Sequence, residues 1–247
     1  MESFSPSPID ARSIAMGRTS IVSATGSNSI FSNPGTIATL DSRQLQVGGR
    51  MIMGDVEHEA LEDFYDSYEK EILPNYSINH ISVSMPYKLT GSDMNLAIGI
   101  GYRKYFDWGM SIEEKYSYSN YDAYVKGNSE FTTIGGLNVI TPGIAINLQD
   151  KYFLGVTLNK SFGTFEMESE QRISYNSEDI ETSGDEVELE NSASFLKFGV
   201  LSKLNENLTL GFSFTPEFEW EIENNDEMDE IDFTIPSVMG AGVAYRL

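Results

Sequence analysis

The chain has 247 residues, with 38 Asp and Glu against 16 Lys and Arg, and its formal net charge of -22 argues against nucleic acid as a partner. It has no cysteine, which excludes disulfides and thiolate metal sites, and no apolar run reaches the roughly 18 to 20 residues of a transmembrane helix. A membrane barrel is compatible with this composition, because its strands need only alternate apolar residues over about 10 positions.

Residues 1–41 differ from the remainder of the chain. They are rich in Ser and other small residues, have no sustained period, and contain the turn sequence Asn33-Pro34-Gly35. We expect an irregular segment that plugs a barrel or lies against its periplasmic mouth. Residues 42–247 then form the second part of the chain, a β-barrel with acidic outer loops.

Alternation of apolar residues with small or polar ones begins at Gln44 and is cleanest over residues 95–108. Successive side chains of a strand point to opposite faces, so this pattern predicts strands with one apolar face. Lys104 breaks the pattern, and we expect its ammonium group to reach the outer interface of the membrane. The row predicted to face outward is Leu96, Ile98, Ile100, Tyr102, Phe106 and Trp108, and the row predicted to face inward is Asn95, Ala97, Gly99, Gly101, Arg103, Tyr105 and Asp107.

The hairpin over residues 191–214 indicates which face is outside. One of its faces is apolar, and the other is mostly Gly, Ser, Thr and Asn, without the many charged groups of a solvated face. Small polar residues suit a crowded interior, so the apolar row must face outward into hydrocarbon, where closed barrels satisfy every backbone group. We therefore predict an all-β fold, an antiparallel transmembrane β-barrel of about eight strands, in the bacterial outer membrane with membrane lipid as a partner.

Acidic residues crowd into three stretches, 57–71, 166–190 and 217–232, which we predict to be long loops at one end of the barrel. Tight turns lie at the other end. We expect two aromatic girdles, with Tyr87, Tyr152 and Tyr245 beside the turns and Trp108, Phe218 and Trp220 beside the acidic loops. The alternative is a soluble β-sandwich or lipocalin-like binder, in which the aromatic residues belong to the core.

The N-terminal part also carries a family resemblance. Ala11-Arg12-Ser13-Ile14-Ala15-Met16-Gly17 and Asn33-Pro34-Gly35-Thr36-Ile37-Ala38 follow the order and spacing of the motif A-x-x-x-x-M-G-G…A…N-P-A-G-L-A. In this respect the chain resembles FadL-type outer-membrane transporters for long-chain fatty acids and other hydrophobic compounds. Arg18 stands where a second Gly is usual, and Gly35-Thr36 replaces Ala-Gly. The family's barrels are larger than this chain can form, so the resemblance implies a reduced relative or a fragment.

Cationic residues at inward positions are the candidate ligand-binding residues, namely Arg50, Arg103, Lys197 and Arg246. A charge inside a narrow barrel needs a partner, and Asp107 and Glu217 are possible counter-charges. The cations could meet the carboxylate of an amphipathic ligand, or they could form an internal network that holds the barrel in shape. Side chains nearly fill the interior of an eight-stranded barrel, which favours the network.

Two further arrangements bear on chemistry. His80 and Ser82 share one face in an H-x-S pattern that resembles the one in outer-membrane lipid A deacylases, where the His could activate the Ser. No acidic residue adjacent in sequence orients the His, so we predict no enzyme and no cofactor. His58 lies between Glu57 and Glu59 in an acidic loop that could hold a divalent cation such as Ca²⁺ or Mg²⁺, although a solvated loop has the same composition.

The expected function follows from the resemblance and the outward apolar rows. It is passive transport of hydrophobic or amphipathic small molecules such as fatty acids, with the N-terminal part gating the periplasmic mouth. The alternative is a non-transporting outer-membrane barrel that serves as a structural or secretion-partner protein through its acidic loops.

Overall fold

The computed structural model describes residues 15, 20–23, 25–55, 67–89, 91–92, 94–119, 124–176, 178–182, 186–224 and 230–246. In this part of the chain, all strands pair into one antiparallel sheet, which confirms the predicted all-β antiparallel class. Two 3-10 helices, Ser27–Phe31 and Pro34–Thr39, precede the sheet, and no helix among these residues has the length and apolar character needed to cross a membrane. The strands are β1 Gln44–Asp55, β2 Ser67–Lys88, β3 Met94–Asp107, β4 Met110–Ser119, β5 Tyr124–Leu148, β6 Tyr152–Tyr175, β7 Glu178–Thr182, β8 Glu186–Lys203, β9 Leu208–Thr215, β10 Phe218–Asn224, β11 Glu230–Ile235 and β12 Val238–Tyr245.

Several strands run end to end, so the sheet has fewer positions than strands. β3 and β4 form one line, because both pair with β2 and with β5 and only Trp108 and Gly109 separate them. β9 continues as β10 beyond Pro216, and β11 continues as β12 beyond Pro236, since a proline has no N–H for the ladder. Each line pairs with the next along the chain, and β1 and β12 lie at the two edges.

The two faces of the sheet differ as the alternation predicts. Ile98 and Ile100 of β3 are 40% and 51% exposed, and Phe212 of β9 is 42% exposed. Ala97 and Gly101, which flank these two isoleucines on the opposite face of β3, are buried. The large apolar residues therefore form an outer face, and the small residues form an inner face.

The N-terminal segment, defined here as residues 20–23 and 25–40, packs on the inner face. The backbone of Pro34 approaches Gly155 and Gly199 so closely that a Cβ atom on either glycine would overlap the segment. The side-chain amide of Asn33 fixes this approach, because it donates to the carbonyl of Val200 at 3.0 Å. The main buried cluster lies at the same contact and comprises Ile30, Phe31, Ile37, Ala38, Ala97, Ala145, Phe153 and Leu201.

The acidic stretches contain more strand than the sequence predicts. From Ser67 onward the first stretch belongs to β2, the stretch 166–190 contributes to β6, β7 and β8, and the stretch 217–232 contributes to β10 and β11. The prediction of long loops is therefore wrong for much of their length. Apolar alternation ends where the outer face becomes polar, but the backbone ladder continues because it does not depend on apolar side chains.

Side chains on these polar extensions form ion pairs. Lys70 and Glu114 lie 3.7 Å apart across β2 and β4. Lys115 donates to Glu113 at 2.8 Å, and this hydrogen bond raises the pKa of the exposed Lys115 ammonium group. Exposed pairs of this kind contribute little to stability. The backbone hydrogen bonds therefore hold the extensions together.

We predict that Gly199→Ala loosens the N-terminal segment, because the new methyl group overlaps Asn33 and Pro34. Overpacking of this kind should lower the free energy of unfolding by about 2 kcal/mol in a urea titration. Gly54→Ala is the matched control, since a Cβ there meets nothing within 4 Å, and it should change the value by less than about 0.5 kcal/mol. Equal effects of the two substitutions would contradict the packing described above.

Candidate functional site

Asp107 on the inner face gathers several partners around one carboxylate. Its side chain is 1% exposed, and its oxygens lie 2.5 Å from Arg50 Nη2 and 3.2 Å from Lys104 Nζ. The carboxylate also accepts the Ser77 hydroxyl at 2.6 Å and the backbone N–H of Gly109 at 3.1 Å. Arg50 and Asp107 thus belong to the internal network that the sequence offered as the alternative to ligand binding.

A β-bulge in β3 produces this arrangement. The register between β3 and β5 shifts between Lys104 and Phe106, so Tyr105 is an extra residue. Beyond the shift, Phe106 pairs with Leu137, which is 4% exposed. The predictions that Phe106 faces outward and that Lys104 reaches the outer interface are wrong. The strand is irregular at the inserted residue, so Phe106 packs with the inner-face rings while Asp107 stays on the same face, where Lys104 contacts its carboxylate.

Arg103 and Lys197 both contact Phe31 of the N-terminal segment. The Arg103 guanidinium lies 5.5 Å from the centre of the Phe31 ring and 4.3 Å from the centre of the Tyr105 ring. Lys197 Nζ donates to the Phe31 carbonyl at 2.8 Å. Within the described ranges, neither cation forms an ion pair with a carboxylate. The two residues therefore hold the segment in place through cation–π contact and a charged hydrogen bond.

The remaining charged candidates do not join this group. Arg246 is exposed beyond the end of β12, and its backbone N–H donates to the Asn207 carbonyl at 2.8 Å. Glu217 is exposed between β9 and β10. Both residues lie at strand ends and are exposed, so neither joins the enclosed group, and their inward positions stay predictions. The four predicted ligand-binding cations thus separate into a carboxylate network at Arg50, a contact with the N-terminal segment at Arg103 and Lys197, and an exposed Arg246.

Aromatic rings fill the inner side near the acidic end, and the sequence did not predict them there. Phe106 stacks on Trp108 at 6.2 Å between ring centres and on Trp220 at 5.9 Å. Phe195 and Phe218 stack nearby at 4.3 Å. Trp220 is 6% exposed, so the prediction that Trp108, Phe218 and Trp220 form an outer girdle is wrong. The break at Trp108 and Gly109 was the sequence signal that the period changes.

His80 and Ser82 lie in the contact between the N-terminal segment and β2. The Ser82 hydroxyl is 2.9 Å from the Ser27 hydroxyl, and Ser27 also donates to the Ser82 carbonyl at 3.0 Å. The His80 ring meets Phe31 edge to face at 6.3 Å. Both side chains are nearly fully buried, so this pair contributes to packing of the segment.

The predicted cation site at the acidic loops cannot be located, because His58, Glu57 and Glu59 are outside the described residues. Among the residues that are described, no group of three or more His, Asp or Glu side chains could hold a metal ion. The divalent cation and the hydrophobic ligand stay predictions.

Comparison with known proteins gives one match. A family model described as BamG matches residues 9–239. The matched family is linked to the bacterial outer-membrane BAM assembly machinery. No curated protein and no solved structure matches the chain.

The family match corrects two expectations. The resemblance to FadL-type transporters is wrong, because the match over nearly the whole chain is to a different family, whereas the resemblance depended on a short N-terminal motif. The expected passive transport of fatty acids is wrong for the same reason. The alternative, a non-transporting structural or partner protein, agrees better with the match.

We predict that Asp107→Asn lowers the free energy of unfolding by about 3 kcal/mol, because it leaves two buried or half-buried cations without their counter-charge. The double variant with Asp107→Asn and Arg50→Gln should lose less free energy of unfolding than the two single variants lose in sum, since the two groups share one interaction. Arg172→Gln, which breaks an exposed pair with Glu170, is the control and should cost less than about 0.5 kcal/mol. Strictly additive costs for Asp107 and Arg50 in urea titrations would contradict the network.

Proposed function

Because the chain belongs to the BamG family, we propose that it is an integral outer-membrane protein that works as a partner of the BAM assembly machinery. In this proposal the chain acts through binding and scaffolding, without catalysis and without a cofactor. The observation that carries the proposal is the family match over residues 9–239. Two features of the sheet support it, its apolar outer face and its occupied inner face.

The outer face has the chemistry of a surface in contact with lipid. Along β6, Tyr152, Leu154, Leu158 and Phe162 are each between 37% and 53% exposed. The distance from the first to the last corresponds to about the 9 to 11 residues that a membrane-crossing strand needs. Water would make such a large exposed apolar surface unfavourable, whereas hydrocarbon would not. We therefore propose that the sheet is the wall of a barrel with membrane lipid as its surroundings.

The inner face argues for a partner protein instead of a conduit. The N-terminal segment covers the glycines of the central strands, and the stacked rings of Phe106 and Trp220 lie beyond it toward the acidic end. The carboxylate of Asp107 and its cations occupy a further part of the same face. The inner face is therefore occupied by side chains and by the N-terminal segment. Another protein can bind only to surfaces outside the barrel, which include the acidic extensions.

If the sheet is inserted in a membrane, quenching of a dye by lipid should depend on the position of the dye. An environment-sensitive dye on Ile100→Cys should be strongly quenched by brominated lipid in liposomes, because this residue lies on the apolar outer face. The same dye on Glu170→Cys, on the polar extension of the same sheet, should be quenched weakly or not at all. The chain has no other cysteine, so each label reports one position. Equal quenching at the two positions would contradict insertion.

Association with the assembly machinery predicts co-purification from native membranes in mild detergent. The tagged chain should recover core subunits of that machinery in amounts that scale with the chain itself. A tagged unrelated barrel from the same membrane, expressed at the same level, is the control and should not recover them. Recovery by both proteins, or by neither, would contradict the proposed function while leaving membrane insertion unaffected.

A further inference from the structure

The two edges of the sheet have no strand partner in the described part of the chain. β1 pairs with β2 alone, and β12 pairs with β9 alone. The space between them is called the seam here, and it is bounded by Gln44–Asp55 and Val238–Tyr245. Outer-face residues beside the seam are more exposed than those in central strands, with Leu45 at 67% and Met239 at 69% against 40% for Ile98. The seam is therefore a place where one flank of each edge strand is open.

Much of the length of these two strands lacks the charges and prolines by which sheets usually prevent pairing. Exposed edge strands are commonly protected by Lys, Pro or inward charges. β12 has no charged residue and no proline along its whole length. In β1 the charge within the alternating part is Arg50, and its guanidinium is bound to Asp107 on the inner face. β12 and the alternating part of β1 therefore present no proline and no unpaired charge to an added strand, and Pro236 with the acidic β11 limits this open stretch toward the acidic end.

The N-terminal segment limits the width of the seam. Ile21 and Val22 lie against the inner-face glycines of β12, and a Cβ on Gly242 would be 2.9 Å from Val22. Gly26 lies against the Gln46 side chain of β1, where a Cβ would be 2.5 Å from the Gln46 amide oxygen. Three residues separate Val22 from Gly26, so the backbone between them spans at most about 14 Å when fully extended, and the Val22 and Gln46 side chains add their own length at the two ends. The two edges are therefore held a short distance apart.

The spacing and direction of strands then restrict how many strands can be added in the seam. Adjacent strands are about 4.8 Å apart, so two added strands need about 14 Å between the edges, and four need about 24 Å. The first and last lines of the sheet are antiparallel to each other, because consecutive lines alternate in direction. Antiparallel pairing on both sides requires an even number of added strands. A single hairpin meets both conditions, whereas a second copy of the sheet would force the edges much further apart.

We propose that the seam receives an amphipathic β-hairpin from another outer-membrane chain, which pairs with β1 on one side and with β12 on the other. This inference rests on the proposed function, since burial in lipid is what makes unpaired backbone groups at the seam so costly. The hairpin must place apolar side chains outward, in line with Leu45 and Val243, and small side chains inward. Its chemistry is that of a strand pair from a barrel wall.

The test uses the cysteine-free chain in liposomes with one cysteine added at a time. The probe is a synthetic hairpin whose strands alternate Val with Ser around an Asn-Gly turn and which carries one cysteine. After oxidation, intact mass should detect a disulfide adduct with Val47→Cys and with Val243→Cys. The control is Ile100→Cys, which is 51% exposed on the outer face of a strand with two neighbours, and it should give about tenfold less adduct, because a disulfide needs the two Cα atoms within about 7 Å.

Three results would overturn the proposal. Equal adduct at all three positions, or none, means that the seam does not select a hairpin. An internal disulfide in variants that pair Val47→Cys or Met51→Cys with Met239→Cys or Val243→Cys, without the peptide, means that β1 and β12 close on each other. A disulfide between two copies of those variants means that the occupant is a second copy. Brominated-lipid quenching at Ile100→Cys in the same samples separates these results from loss of membrane insertion, which would remove the proposed function itself.

Discussion

Close contact between the N-terminal segment and the glycines of the inner face is the interaction on which the rest of the structure depends. Without side chains at Gly155 and Gly199, the strands can approach the backbone at Pro34 directly. This contact contains the main buried cluster and places Phe31 between two cations. It also brings the segment under both edge strands. One feature, an inner wall built from small residues, therefore determines the position of the core, the occupation of the interior and the width of the seam.

The inserted residue Tyr105 is the second feature that shapes the interior. It moves Phe106 to the inner face, where it stacks with Trp220 from the far side of the sheet. The same insertion accompanies the gathering of Arg50 and Lys104 around Asp107. The rings of Phe106 and Trp108 and the ammonium group of Lys104, which a regular strand would have placed on the outer face, contact inner-face partners instead. The outer face stays apolar and the inner face is filled, a combination that suits a membrane-embedded partner of the assembly machinery better than a passage for small molecules.

Prediction from the sequence succeeded where the alternation of side chains along a regular strand is the only constraint. Ile98, Ile100 and Phe212 have the exposure that alternation requires, because every regular strand residue turns its side chain by the same rule. It failed at Phe106 and Trp108, which follow the inserted residue in β3, and at Trp220, which follows the strand break at Pro216. It failed again with the family resemblance, because a motif of a few small residues and a turn is compatible with more than one family.

The sequence by itself determined that the chain forms antiparallel strands with one apolar and one small-residue face, because the period of two is a local property of extended backbone. Only the tertiary structure decided which charges meet. Asp107 contacts Arg50 and Ser77, which lie on other strands. Lys197 donates to the carbonyl of Phe31, 166 positions away along the chain. In the described part of the chain, the tertiary structure also leaves β1 and β12 without pairing to each other. Such pairings depend on register and on what fills the interior, and neither is encoded within a single strand.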